Sequence, residues 1–130
     1  FIKDMSSETP DIETYMHVKD NISNYHLGIN IDSKAMKRQL IEIDTTINFV
    51  DKQKSEKKSI FEFIYTSIVK VDENIKDKKT LEKIVLVDVP NEIYPRLEKT
   101  LLDLLHNSGY PAIKIEKKVD FENLYKKNFN

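Results

Sequence analysis

Asp88, Glu116 and Lys118 are the residues of this chain whose types and spacing come nearest to a reactive set. Two carboxylates brought together hold a hard divalent cation such as Mg²⁺ or Mn²⁺, and a neighbouring lysine steadies the attacking water or a phosphate. The chemistry would be metal-dependent hydrolysis of a phosphodiester, with Asp88 and Glu116 as the metal ligands. It requires Asp88 at the carboxyl end of one strand and Glu116-Lys117-Lys118 on the next. Glu92 lies one helical turn beyond Asp88 and would share its site. The plainer account makes Asp88 a turn or cap residue, and makes Lys114, Lys117 and Lys118 charges that blunt an exposed strand edge.

A second set is basic and aromatic. Lys114, Lys117 and Lys118, with Phe121, Tyr125, Lys126 and Lys127, interleave cations with rings near the C-terminus. Such a surface binds single-stranded nucleic acid by stacking and charge; the same residues also describe an amphipathic helix with solvated lysines. His17, His26 and His106 make no metal-ligand spacing, and His26 and His106 suit the last turns of helices. With Gly28 and Gly109 the only glycines, no Gly-rich phosphate loop can be built. The chain has no cysteine, which excludes disulfides, thiolate metal sites and thiol nucleophiles.

The elements that must position these residues follow from periodicity. Ile84-Val85-Leu86-Val87-Asp88-Val89 is a β-branched run that stops at Pro90. Leu97, Leu101, Leu104 and Leu105 recur at helical spacing, Gly109 and Pro111 punctuate the exit, and Ala112-Ile113-Lys114-Ile115 resumes an extended pattern. Residues 83–118 therefore predict a β-α-β unit. Upstream, Thr9-Pro10 opens a predicted helix over 10–26, with Tyr15, Val18, Ile22 and Tyr25 on one face and Gly28 as its C-terminal cap. Asp32-Ser33 would cap a short helix through Gln39. Ile41, Ile43, Ile47 and Phe49 alternate with polar residues and predict a strand, with Asp44-Thr45-Thr46 able to bend it into a hairpin. Residues 59–71 fit either a helix or a strand; Ser59 with Glu62 forms a capping-box pattern and tips the reading to helix. Residues 1–8 read as a flexible lead-in, and 120–130 as a short helix or tail opened by Asp120.

Composition sets the frame. At 130 residues the chain suits one domain, 1–130, able to bury roughly two thirds of its unfolded surface. It is 39% hydrophobic and 33% charged with a net charge of −1, so no overall field draws it to nucleic acid or an anionic membrane. No apolar run approaches the ~18 residues that span a bilayer, and the segment itself makes no membrane contact. The compartment stays open, cytoplasmic or extracytoplasmic. The chain begins at Phe1, as a processed or partial product would, and the excess of Lys over Arg points to an AT-rich genome. The fold class is α+β (mixed α/β): a three- to four-stranded sheet with helices mainly on one face.

From Leu40 onward the expected order of strands and helices resembles the periplasmic domain of ExbD/TolR-type proteins. The pattern is Ile84-Val85-Leu86-Val87-Asp88, then Tyr94, then a leucine-rich helix ending Ser108-Gly109-Tyr110, then Ile113-Lys114-Ile115. The resemblance implies the soluble part of a membrane-anchored partner protein. Together with the lack of a cofactor loop, this leads to a non-catalytic assembly module that needs no cofactor and binds a protein partner or itself. A dimer would also cover aromatic residues too numerous for one small core. The alternative is a nucleic-acid-acting protein, either a nuclease using Mg²⁺ or Mn²⁺ at Asp88, Glu116 and Lys118, or a binder using the lysine-rich C-terminus.

Overall fold

The structure, a computed structural model, describes residues 1–53, 55–115 and 119–129. Four antiparallel strands form one sheet in the order β1-β4-β3-β2. They are β1 (Ile2–Glu8), β2 (Tyr25–Ala35), β3 (Leu40–Asp51) and β4 (Ile60–Lys70). The chain leaves β1 at one edge, crosses through α1 (Ile12–Asn21) and a 3₁₀ turn (Ile22–Asn24), and enters β2 at the other edge. After β4, α2 (Lys78–Lys83) runs through a π-helical segment (Ile84–Asp88) directly into α3 (Val89–Asn107), and α4 (Phe121–Phe129) follows.

The sheet is written in strict alternation. Ile43, Thr45, Ile47 and Phe49 of β3 and Phe61, Phe63 and Tyr65 of β4 are buried, while their neighbours Glu42, Asp44, Asn48, Glu62 and Ile64 are only partly covered. Direct pairing of Ile47 with Phe63 and of Phe49 with Phe61 puts the large side chains on one face. Val18 and Ile22, Leu97, Leu101 and Leu105 of α3, and Phe121 of α4 close over that face to complete the core. The class is thus α+β, with four strands and helices on one face.

Several expected elements are corrected. Ile84–Asp88 is helical and not a strand, and residues 111–115 form no strand, so the β-α-β unit over 83–118 does not exist. Asp77 caps the run, its carboxylate accepting from Thr80 N, and a β-branched stretch that follows an open helix end is carried along as helix. Pro90 shapes the junction. It has no N–H for Leu86, and its ring would press on that carbonyl in an ordinary helix; the wider π turn just before it relieves the clash. Val85 and Val87 are buried together within that turn.

Residues 59–71 form β4 and not a helix: the Phe61, Phe63, Tyr65 alternation wins because three aromatic rings can pack on one sheet face. Ile2–Glu8 form an edge strand in place of a flexible lead-in over residues 1–8, held by the backbone ladder to β4. The first helix ends at Asn21, and Asp11 rather than Thr9 caps it, accepting from Thr14 N at 2.7 Å. Gly28 lies within β2, where a Cβ would collide with Asn48 Oδ1. Asp32 to Gln39 make the end of β2 and its turn, not a helix, and β3 runs through residues 44–46 without bending.

Candidate functional site: an apolar groove at the free edge of the sheet

β2 is an edge strand, and among the described residues its outer ladder of N–H and C=O groups has no strand partner. Its inward side chains are Tyr25, Leu27, Ile29 and Ile31. Tyr25 is buried, but Leu27, Ile29 and Ile31 are only partly covered where they pack against the core. Beside Tyr25 and Leu27 lies a groove of about 890 Å³. Ile22, Tyr25, Leu27 and Phe49 make one side, and Ile113, Ile115, Val119 and Leu124 make the other. That volume lies in the range of ligand-binding clefts, and the lining is mostly aliphatic and aromatic as such clefts require.

Behind the aromatic wall of the groove lies a hydroxyl cluster. Thr9 Oγ1, Ser59 Oγ and Tyr110 OH form a closed ring, with each pair 2.7 Å apart. Tyr25 OH sits beside it and accepts from Ser59 N at 3.1 Å. Burial pushes the Tyr25 phenol up; the Ser59 hydrogen bond pulls the other way without reversing it. Tyr110 meets Phe61 edge-on at 5.2 Å and Tyr15 at 5.1 Å, and Tyr25 packs on Phe49 at 5.5 Å. The crossover before β2, the start of β4 and the exit of α3 are thereby fixed to one another.

The residues singled out in the sequence fall differently. Asp88 is exposed on the helical run between α2 and α3, not at a strand end. Glu116, Lys117 and Lys118 lie outside the described residues. Phe121 is 2% exposed and stacks edge-on against Tyr94 at 5.9 Å, so it is a core anchor for α4 and offers no face to a nucleobase. Tyr125 is half-buried, and its hydroxyl faces Glu82 Oε2 at 3.5 Å; burial first, and the Glu82 carboxylate next, push its phenol up. Lys114 is exposed on the groove wall. Among the described residues no three His, Asp or Glu side chains gather in a metal-holding group. The groove itself was missed. Its signal was legible in the alternation Tyr25, Leu27, Ile29, Ile31, and was hidden by assigning Tyr25 to the preceding helix.

Taken together, these features define a class: α+β proteins that present a half-covered apolar groove along an open sheet edge. The family model described as SecB, preprotein translocase subunit SecB, matches residues 1–130, and the chain belongs to that family. A SecB of Pelagibacter ubique, provisionally described as a protein-export protein, is 59% identical over 130 residues, covering 100% of this chain and 93% of its own length. The protein-export protein SecB of Roseobacter denitrificans is 29% identical, covering 97% and 75%. A solved structure of a SecB-like chaperone from Mycobacterium tuberculosis, in complex with a peptide from an antitoxin, superposes with a TM-score of 0.62 at 12% identity, covering 92% of this chain and 83% of that one, and confirms the fold.

This membership corrects the functional expectation. The assembly module of ExbD/TolR type is overturned by the SecB match, and the helical state of Ile84–Asp88 removes the strand that carried the resemblance. The nuclease and nucleic-acid alternative is likewise not supported. No helix among the described residues is long and apolar enough to cross a membrane.

Proposed function

We propose that this protein is a chaperone of the export pathway that holds extended, apolar segments of unfolded preproteins in the groove beside β2. The observation that carries the proposal is the stripe Leu27, Ile29, Ile31, left partly uncovered on an edge strand whose outer ladder has no strand partner among the described residues. An extended segment laid along β2 would satisfy both deficits at once. Its backbone would pair with the free ladder, and alternate side chains would drop onto the apolar stripe. Family membership supports the same reading. So does the relative of known structure, which was solved with a peptide bound.

Leu124 is 43% exposed at the groove wall, so replacing it leaves the core intact. Leu124→Glu, and Ile113→Glu beside it, should lower affinity for a permanently unfolded export substrate at least tenfold, read by fluorescence anisotropy, with an unchanged circular dichroism spectrum. Wild-type affinity in both variants would place the binding surface elsewhere.

Self-association has its own support. β1 is the opposite free edge, with Ile2 and Met5 exposed along it. A second copy paired there in antiparallel fashion would cover them. The aromatic count is no longer a reason for it, since eight of the twelve Tyr and Phe residues are buried within this chain. Met5→Lys should shift the mass seen by light scattering toward the monomer; an unchanged mass would exclude the β1 edge.

A further inference from the structure

Ser59 stands behind the groove and reaches both of its walls. Its backbone N–H donates to Tyr25 OH at 3.1 Å, and Tyr25 belongs to the β2 wall. Its hydroxyl lies 2.7 Å from Tyr110 OH, and Tyr110 directly precedes the segment that supplies Ile113 and Ile115 to the facing wall. Ser59 is buried and does not itself border the groove.

The facing wall needs such a tie. Residues 111–115 form neither helix nor strand, so no backbone ladder sets how far they stand from β2. Their course begins at the end of α3. There Gly109, with φ 88°, takes the left-handed cap position; its N–H donates to His106 O at 3.0 Å, and Tyr110 N–H donates to Leu105 O at 3.1 Å. This cap sets the direction in which the chain leaves the helix. Hydroxyl groups from other elements then fix the cap to the rest of the fold. Ser7 Oγ of β1 lies 2.7 Å from Ser108 Oγ, Tyr15 OH of α1 donates to Gly109 O, and Thr9 Oγ1 lies 2.7 Å from Tyr110 OH. Residues 108, 109 and 110 are thus each held by a hydroxyl, and none of the holders lines the groove. Apolar surfaces in contact can slide; hydrogen bonds of this length fix both distance and direction.

We propose that Ser59, with Thr9 and Tyr110, positions the facing wall of the groove and so sets client affinity without touching the client. The proposal rests on the chaperone function above and adds to it the positioning residues of the same site. A wall already held in its binding position need not be ordered when a client arrives, and that saving appears as affinity.

The test measures binding of a labelled peptide of alternating leucine and serine to the full chain by fluorescence anisotropy. Ser59→Ala keeps the N–H on Tyr25 and removes the hydroxyl; Thr9→Val removes a hydroxyl of the same ring with little change of shape. Each should weaken binding about fivefold, and Thr9→Ser, which keeps the hydroxyl, should bind as the wild type does. Ile43→Val is the control for stability: it trims a fully buried core residue that does not border the groove, and should leave affinity unchanged. Leu124→Glu reports on the groove itself. If it weakens binding while Ser59→Ala and Thr9→Val match the wild type, the positioning role is overturned and the groove stands. A loss in Ile43→Val or Thr9→Ser as large as that in Thr9→Val would also overturn it, because affinity would then follow stability or shape and not the hydroxyl. A peptide unaffected by Leu124→Glu, or one that does not bind the wild type, would overturn the groove assignment and this proposal together.

Discussion

Tyr110, Thr9 and Ser59 show how three polar side chains can sit in an apolar interior without penalty. Three hydroxyl protons match the three contacts, so each hydroxyl can give one hydrogen bond and take another, and none is left unpaired in a region where an orphan would be costly. Tyr110→Phe removes one member and leaves Thr9 and Ser59 each short of a partner. It should lower stability by about 1–2 kcal/mol in urea unfolding, with no change in sheet content. On the opposite face of the sheet, Asp44 accepts from Thr66 Oγ1 at 2.8 Å and from Lys3 Nζ at 3.3 Å. Partial burial acts to raise its carboxyl, but those donors outweigh it and hold the group below its ordinary range. A carboxyl depressed in the folded state adds stability that is present above its unfolded value and is lost as pH falls through the folded one. Stability should therefore decline below about pH 4, and Asp44→Asn should remove that part of the decline. An acid limb unchanged in the variant would show that Asp44 is not its source.

At the scale of elements, the turn between β2 and β3 is strained. Arg38 and Gln39 both adopt left-handed backbone, with φ of 63° and 61°, and Leu40 N donates back to Lys37 O. Two such residues in succession are the type I′ turn that matches the twist of a hairpin, and Asn-Gly is the pair that adopts it without steric cost. R38N/Q39G should raise stability by about 1 kcal/mol, read as a higher midpoint in urea. A loss of stability would mean that the side chains of Arg38 and Gln39 hold the turn.

The same hairpin explains what the sequence made legible. β3 was readable because every second residue from Ile41 to Phe49 is apolar, apart from Thr45, and the pattern has no helical rival. The leucine spacing located the second half of α3, and Asp120 located the start of α4. β4 was lost to a coincidental Ser59–Glu62 capping pattern, although the Ser59 hydroxyl is spent on Thr9 and Tyr110. β1 buries little, so side-chain alternation could not announce it; its pairing is a property of the backbone ladder. Ile84–Val87 reads as a strand in isolation and is a helix because of what precedes it. The strand expected to carry Asp88 does not form for the same reason, and Glu116 and Lys118 lie outside the described residues. The β2 wall of the groove was legible in its alternation, but the other wall needed the tertiary approach of residues 112–115 and 119–124 to β2, which no local pattern encodes.

For the whole molecule, the proposed role of the partly covered stripe on β2 carries a thermodynamic expectation. A ligand that binds only the folded chain stabilises it by RT ln(1 + [L]/Kd), which is about 2.7 kcal/mol at a hundredfold excess over Kd. Saturation with an apolar extended peptide should therefore raise the thermal midpoint measurably. A peptide that binds but leaves the midpoint unmoved would have to favour the unfolded chain equally.

The sheet order also carries a consequence in time. β2 and β3 are joined by a short turn and can pair as soon as both have been synthesised, but among the described residues β1 has no strand neighbour except β4. Glu8 waits for Ile60, 52 residues further along the chain. At the ~5–20 residues per second of a ribosome, that interval is about 3–10 seconds. Under the proposed function, the protein for those seconds has an extended segment of its own, tethered, unpaired and within reach of the emerging β2 edge. The crossover through α1 carries β1 to the far side of the sheet, and its docking there separates the newborn strand from the groove it could otherwise occupy.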